Sequence, residues 1–407
     1  YESGIEITRY WRPENIRTDK NLSHERMLSD LKSIVTDAVR IRCDSRFIAG
    51  AHVSGGLDSG IVSVLARGVY TPQERFYGFS WTPAQHLSGD VMYDERETII
   101  KSCETADIIP VLSEMTPADF CISTGSFYNN LGLFSEDSTI RQATDLKTNL
   151  IFSGWGGDEF ISTADRGIEQ DLLCTLKLRT FFRRNPLRHP KKFIRDELIY
   201  VIYPALGIID RRTAKSFRDD ARYLKKNVKK SDRSLLRGYY FHTSRRQMHL
   251  RLLNFYHLQE RCESWAVNGY RNGIEYRYPL LDRRIIEYMI KVPSELLCRT
   301  DQYRPLLREI GEGILHDEVR CNNSKSDPVY WAYLEELYKN SAAIFMKEVK
   351  EWKENADIGF FDFDLLTEDI GRYKASSDSV NTRGLFRAII FIKAIHEFTK
   401  RYHERKL

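Results

Sequence analysis

What this sequence is missing narrows its function first. No stretch of the 407 residues is apolar for long enough to cross a membrane as a helix. The seven cysteines (Cys43, Cys103, Cys121, Cys174, Cys262, Cys298, Cys321) are scattered, odd in number and never spaced C-x-x-C. That pattern argues against a disulfide framework or a thiolate zinc site and points to a reducing cytoplasm. Neither G-x-x-x-x-G-K-[ST] nor G-x-G-x-x-G occurs, so the common P-loop and dinucleotide fingerprints are excluded. Internal repeats and long low-complexity tracts are also missing. Charge of one sign is scarce: the net charge is +5, and the basic stretches 177–195 and 222–237 read as solvated helix faces. A nucleic-acid partner would bring a stronger basic field, so none is expected. No signal peptide is visible, and a start at Tyr1 rather than Met leaves room for sequence before it.

What is present has a soluble, globular composition, 42% apolar and 29% charged, with length for one large or two ordinary domains. The informative stretch is 47–62, FIAGAHVSGGLDSGIV. A short apolar run suits a buried strand, and the apolar pattern resumes as a helix after Ser54-Gly55-Gly56-Leu57-Asp58-Ser59. A strand, a glycine-rich turn and a helix start gather free N–H groups and a positive helix end around one small volume suited to phosphate. Gly55 and Gly56 permit close approach of the backbone, and Ser54 and Ser59 add hydroxyl donors. Asp58 repels phosphate unless a cation intervenes, and so reads as a Mg²⁺ ligand. SGGLDS resembles the pyrophosphate-loop motif of enzymes that split ATP into AMP and pyrophosphate.

The flanking chain reads as α/β. Residues 1–22 are polar and irregular and read as a linker, and a helix is expected over about 23–42, where apolar residues recur at helical spacing. Strands are expected at 75–81 and 108–112, with a helix opening at Asp94-Glu95 between them. This alternation predicts a parallel sheet with right-handed crossovers, ligands sitting beyond the carboxyl ends of its strands. At 150–159, LIFSGWGGDE repeats the pattern: an apolar strand, a glycine-rich turn, then Asp158 and Glu159. Two such loops can meet across one nucleotide. Residues from about 165 onward read as mostly helical. Glu275, Arg277 and Asp282 in GIEYRYPLLDRR suit a buried ion-pair set as well as the back of a site. Lys325, in the polar loop RCNNSKSD, gains interest only if the fold returns it to the phosphates.

Taken in order, SGGLDS, SGWGGDE, GIEYRYPLLDRR and the Lys325 loop resemble the synthetase domain of the asparagine synthetase family. The resemblance implies a pyrophosphate-loop sheet of the adenine-nucleotide α-hydrolase type, with a large helical insertion and a helical C-terminus, over 23–407. It implies that 1–22 follow a glutaminase-like domain absent from these residues. It implies ATP and Mg²⁺: Asp58 and Asp158 on the metal, and Ser54, Gly55, Gly56, Leu57 and Ser59 at the pyrophosphate. Val53, Phe79, Ser153 and Gly154 match positions that line AMP, and Lys325 matches the lysine that neutralises the departing pyrophosphate. The chemistry implied is attack of a carboxylate on the α-phosphorus, then displacement of AMP by an amine.

One position departs from the family. Trp155 stands where asparagine synthetases have Glu and β-lactam-forming relatives have Tyr, and an indole neither accepts nor relays a proton. Its bulk suits an apolar or peptide substrate, and Glu263 is a candidate replacement base. In this respect the chain is similar to lasso peptide cyclases, which join an Asp or Glu side chain to the peptide's own N-terminal amine. A leader-peptide-binding or protease partner protein goes with that reading. The alternatives are an asparagine synthetase domain making asparagine from aspartate, and a catalytically silent binding module on the same fold.

Overall fold

The computed structural model describes residues 8–84, 94–124, 134–161, 166–185, 190–227, 241–255, 257–298, 304–322, 328–375 and 381–404. Five short strands form one parallel sheet: β1 (Ala49–His52), β2 (Tyr77–Pro83), β3 (Ile109–Ser113), β4 (Leu150–Phe152) and β5 (Glu275–Arg277). Their order is β3-β2-β1-β4-β5. The strand order therefore reverses between β1 and β4, which pair through Ala49–Leu150, Gly50–Ile151 and Ala51–Phe152. In open parallel sheets the crevice at such a reversal is where ligands sit. The two strands that flank it are the two that run into the glycine-rich turns.

Helices cover both faces. α1 (His24–Arg40) begins where Ser23 accepts a hydrogen bond from the Arg26 amide, and it buries Met27, Leu31, Val35 and Ala38 on one stripe. α2 (Leu57–Arg67) and α3 (Glu95–Thr105) pack with it on the core containing Ile61, Val62, Ile99 and Cys103. On the opposite face, α4 (Phe134–Asp145) and α5 (His257–Arg271) cover Tyr77, Phe79, Ile151 and Tyr276 with Ile140, Ala143 and Trp265. α6 (Arg283–Lys291) buries Ile285, Ile286, Met289 and Ile290, each worth about 1.5–3 kcal/mol of transfer free energy.

A third core, around Phe345, Trp352, Leu366 and Phe386, belongs to the C-terminal helices Pro328–Glu354, Phe363–Ala375 and Thr382–Glu404. The segment before α1 lies against the domain: the Trp11 indole donates to Glu287 at 2.8 Å, and Arg246 donates to the Glu14 and Ile16 carbonyls. No helix among the described residues is long and apolar enough to cross a membrane.

Candidate active site

The first glycine turn follows β1 directly. Val53 is still in the sheet, its amide donating to the Phe79 carbonyl at 2.8 Å. The chain then turns so that the Ser54 and Ser59 hydroxyls hydrogen-bond to each other at 2.7 Å and the Gly56 amide donates to Ser54 Oγ at 3.1 Å. Gly56 caps α2 without a side-chain acceptor, so the first-turn amides of an eleven-residue helix face outward with the positive end of its dipole. Leu57 turns its side chain into the core and anchors this end. Gly55 lies under Glu95, whose Oε1 would be 2.3 Å from a Cβ there.

The second turn follows β4 and packs on the first by main-chain atoms. A Cβ on Gly154 would lie 2.6 Å from the Ser59 nitrogen and 2.8 Å from the Asp58 carbonyl carbon. One on Gly157 would lie 1.8 Å from Asp58 Oδ1. Gly156 has φ +99°, a left-handed conformation that an L side chain seldom adopts. The Ser153 amide donates to the Arg277 carbonyl at 2.9 Å, and the Trp155 amide donates to Ser153 Oγ at 3.2 Å. The glycines thus let two distant loops close into one cradle.

Asp58 and Asp158 meet there through Arg304. Arg304 Nη1 donates to Asp58 Oδ2 at 2.6 Å, and its Nη2 is ion-paired with Asp158 Oδ1. Arg304 itself has φ 54° and ψ 52°, a strained backbone for a non-glycine residue, immediately before the helix Pro305–Ile310. Burial pushes the Asp58 carboxyl up; Arg304 opposes this, and the net direction remains upward. Asp58 Oδ1 is buried without a hydrogen-bond partner among the described residues. Two carboxylates converging on one cation, one with an unused oxygen, fit a magnesium ion that takes its remaining ligands from phosphate and water.

A cavity of about 340 Å³ opens over this cradle. Val53, Ser54, Gly56, Asp58, Ser59, Phe79, Ser153, Gly154, Trp155 and Asp158, all anticipated from sequence, line it. Val53 and Ser54 also line a smaller, more apolar cavity of about 80 Å³ between α2 and α3. Glu263 is not among the lining residues of the large cavity. It is exposed on α5, while Arg261 and Trp265 of the same helix, one turn apart, face inward. Lys325 lies outside the described residues. Asp282 instead caps α6, accepting from Arg284 and from Arg42 at 2.8 Å, a structural ion-pair set.

Three features of the wall carry no local signal in the sequence. Arg261 lies over the Trp155 ring, 4.1 Å from its centroid, and 5.4 Å from that of Trp265. Burial draws its guanidinium pKa down, against the Coulombic pull of Glu159 and Glu136. His52, the last residue of β1, also lines the cavity, with Trp81 and Trp265 beside it. Beneath His52 is Glu136, fully buried in the first turn of α4. Glu136 is hydrogen-bonded to His52 Nε2 at 3.0 Å and accepts from Trp81 Nε1 at 2.8 Å and from the Tyr276 hydroxyl. An acid two residues after a phenylalanine at a helix start carries no sequence signal that distinguishes it from a solvated one.

The chain matches the sequence model of the Asparagine synthase family across residues 30–383. It is similar to asparagine synthetase (glutamine-hydrolyzing) 3 of Bacillus subtilis (strain 168), 21% identical over 368 residues that cover 86% of this chain and 54% of that protein. It therefore spans about half the length of that relative. The five-stranded parallel sheet with its helical layers agrees with the fold expected of such a domain. With 30–383 matched and both glycine loops closing on one cradle, the chain belongs to the asparagine synthase family, whose members are ATP-dependent ligases.

Proposed function

We propose that the protein forms an amide bond at the expense of ATP, through an acyl-adenylate, with release of AMP and pyrophosphate. The observation that carries this reading is the meeting of Asp58 and Asp158 at one cation, above the outward-facing amides of α2. The α2 amides and the Ser54 and Ser59 hydroxyls bind and orient the β- and γ-phosphates. Asp58 and Asp158 would hold a magnesium ion, which would shield phosphate charge and so favour attack at the α-phosphorus. Arg261, stacked on Trp155 and facing the cavity, offers its guanidinium fork to the substrate carboxylate. That carboxylate displaces pyrophosphate, and an amine then displaces AMP. Lys325 neutralises charge on the departing pyrophosphate.

The amine belongs to the acyl substrate itself, so that the product is a macrolactam closed within a ribosomally made peptide, as in lasso peptide cyclases. The cavity wall supports this: Trp81, Trp155 and Trp265 present aromatic surface that suits a peptide better than aspartate and ammonia. Incubation with ATP, Mg²⁺ and peptides bearing a free N-terminus and an internal Asp or Glu should give loss of one water per peptide with equimolar AMP. Release of ADP would overturn the adenylate scheme.

A second reading, conversion of aspartate to asparagine, draws on the similarity to the B. subtilis protein. Asparagine formed from aspartate, ammonia and ATP would favour it over ring closure.

A further inference from the structure

The family's usual proton acceptor has no counterpart at Trp155, yet the amine that attacks an acyl-adenylate must lose a proton. We infer that His52 is the general base for that step and that Glu136 is its positioning residue. The inference rests on the ligase reading above, and its test separates the two.

The geometry begins with Glu136. Its carboxyl group is buried and makes three hydrogen bonds, one each with β1, β2 and β5. The Trp81 indole and the Tyr276 phenol reach it as donors, the partners of an ionised carboxylate, which can only accept. His52 Nε2 must then carry its proton toward Glu136, and the neutral ring is left with Nδ1 as the unprotonated nitrogen. No described residue hydrogen-bonds Nδ1, and Nδ1 is not among the buried, unpartnered atoms. His52 lines the same cavity as Asp58, Ser153 and Trp155. A base in the cavity wall, with one nitrogen not hydrogen-bonded to any described residue and the other fixed by a buried carboxylate, is the arrangement that proton abstraction needs.

The amine nitrogen forms a bond to the acyl carbon, the bond from that carbon to the AMP oxygen breaks, and AMP leaves with its electron pair. One amine proton passes to His52 Nδ1, where Glu136 stabilises the imidazolium until solvent takes the proton. Glu136 is fully buried and does not line the cavity. Tyr276 and Trp81 fix the carboxylate, and Arg261 contributes positive charge nearby.

His52→Gln separates the two functions of the ring, since its amide still donates toward Glu136 but offers no base to the cavity. With the peptides of the preceding assay, and with L-aspartate plus ammonia, ATP–pyrophosphate exchange should stay near the wild-type rate in this variant. Amide formation should fall about a hundredfold or more, the usual contribution of a positioned base. Hydroxylamine, already unprotonated at neutral pH, should restore acyl transfer as hydroxamate.

Wild-type amide formation by His52→Gln overturns the assignment and leaves the ligase reading standing. Equal loss of exchange and amide formation overturns it too, because the ring would then serve the nucleotide. If wild-type protein forms no amide from any of these, the ligase reading fails, and the proposed base loses its reaction with it. An independent measurement uses ¹⁵N-histidine-labelled protein, with His52→Gln to identify the resonance. The inference requires the Nε2–H tautomer, and a proton on Nδ1 of the neutral ring overturns it.

Discussion

Asp58 and Asp158, carried by loops after two different strands, are held by the two terminal nitrogens of one guanidinium, that of Arg304. Removing that cation leaves Asp58 buried with Glu159 as a repulsive neighbour. Loss of one partner from a buried pair costs about 3–5 kcal/mol. Arg304→Met should therefore lower the unfolding free energy in urea by about that amount in EDTA. The loss should shrink with Mg²⁺ and a non-hydrolysable ATP analogue, because ligand that binds only the folded state adds stability. An equal loss under both conditions would show that no bound cation replaces Arg304.

Asp158 is exposed, so its removal tests chemistry with little effect on folding. Asp158→Ala should keep the wild-type melting temperature and slow pyrophosphate release roughly a hundredfold, an energy of about 3 kcal/mol. Unchanged release would remove Asp158 from the nucleotide site.

Gly154 touches the main chain of the other loop, which cannot move aside as a flexible side chain would. Gly154→Ala should force the two turns apart, costing about 1–3 kcal/mol of stability. Nucleotide binding, followed by titration calorimetry, should weaken more than that of a control such as Gly371→Ala, whose added Cβ meets only the Met346 methyl, at 4.0 Å.

Arg261 divides carboxylate recognition from nucleotide recognition. Arg261→Ala should raise KM for the carboxylate substrate about tenfold or more while leaving KM for ATP near wild type, and Arg261→Lys should recover little, lacking the planar fork. A rise confined to the KM for ATP would place the guanidinium on phosphate instead.

Asp282 gives a pH signature. Burial pushes its carboxyl up, but hydrogen bonds from Arg284 and Arg42 prevail and hold it at about 2. A folded pKa below the unfolded value of about 3.9 means stability present above that value and lost as pH falls toward the folded pKa. Asp37, held below its usual value by Arg284 and Arg40, adds in the same direction. The urea midpoint should drop as pH falls from about 4 to about 2, and Asp282→Asn should flatten that drop.

The parts of this molecule legible in the sequence are those with a local signature. β1, α2 and β4 announce themselves by apolar runs that end in glycine and serine, and α1 and α3 by Ser23 and Asp94 at their caps. β5 was not anticipated as a strand: it has three residues, Glu275, Tyr276 and Arg277, and its place at the sheet edge depends on pairing with β4. Arg304, Arg261, His52 and Glu136 were invisible for a related reason. Each owes its place to contacts across the fold, such as that between His52 and Glu136, 84 positions apart. Glu263 and Arg261 show the limit most directly: they lie two residues apart on one helix, and only tertiary packing decides which of them faces the cavity.

The pairing of β1 with β4 has an evolutionary corollary. The base of the crevice is hydrogen-bonded sheet and cannot be reshaped without breaking the ladder that closes the two loops together. One side of the crevice, by contrast, is a single helix, His257–Arg271, whose inward side chains can be exchanged one at a time. Divergence in substrate choice among close homologues should therefore accumulate along that helix and spare the floor.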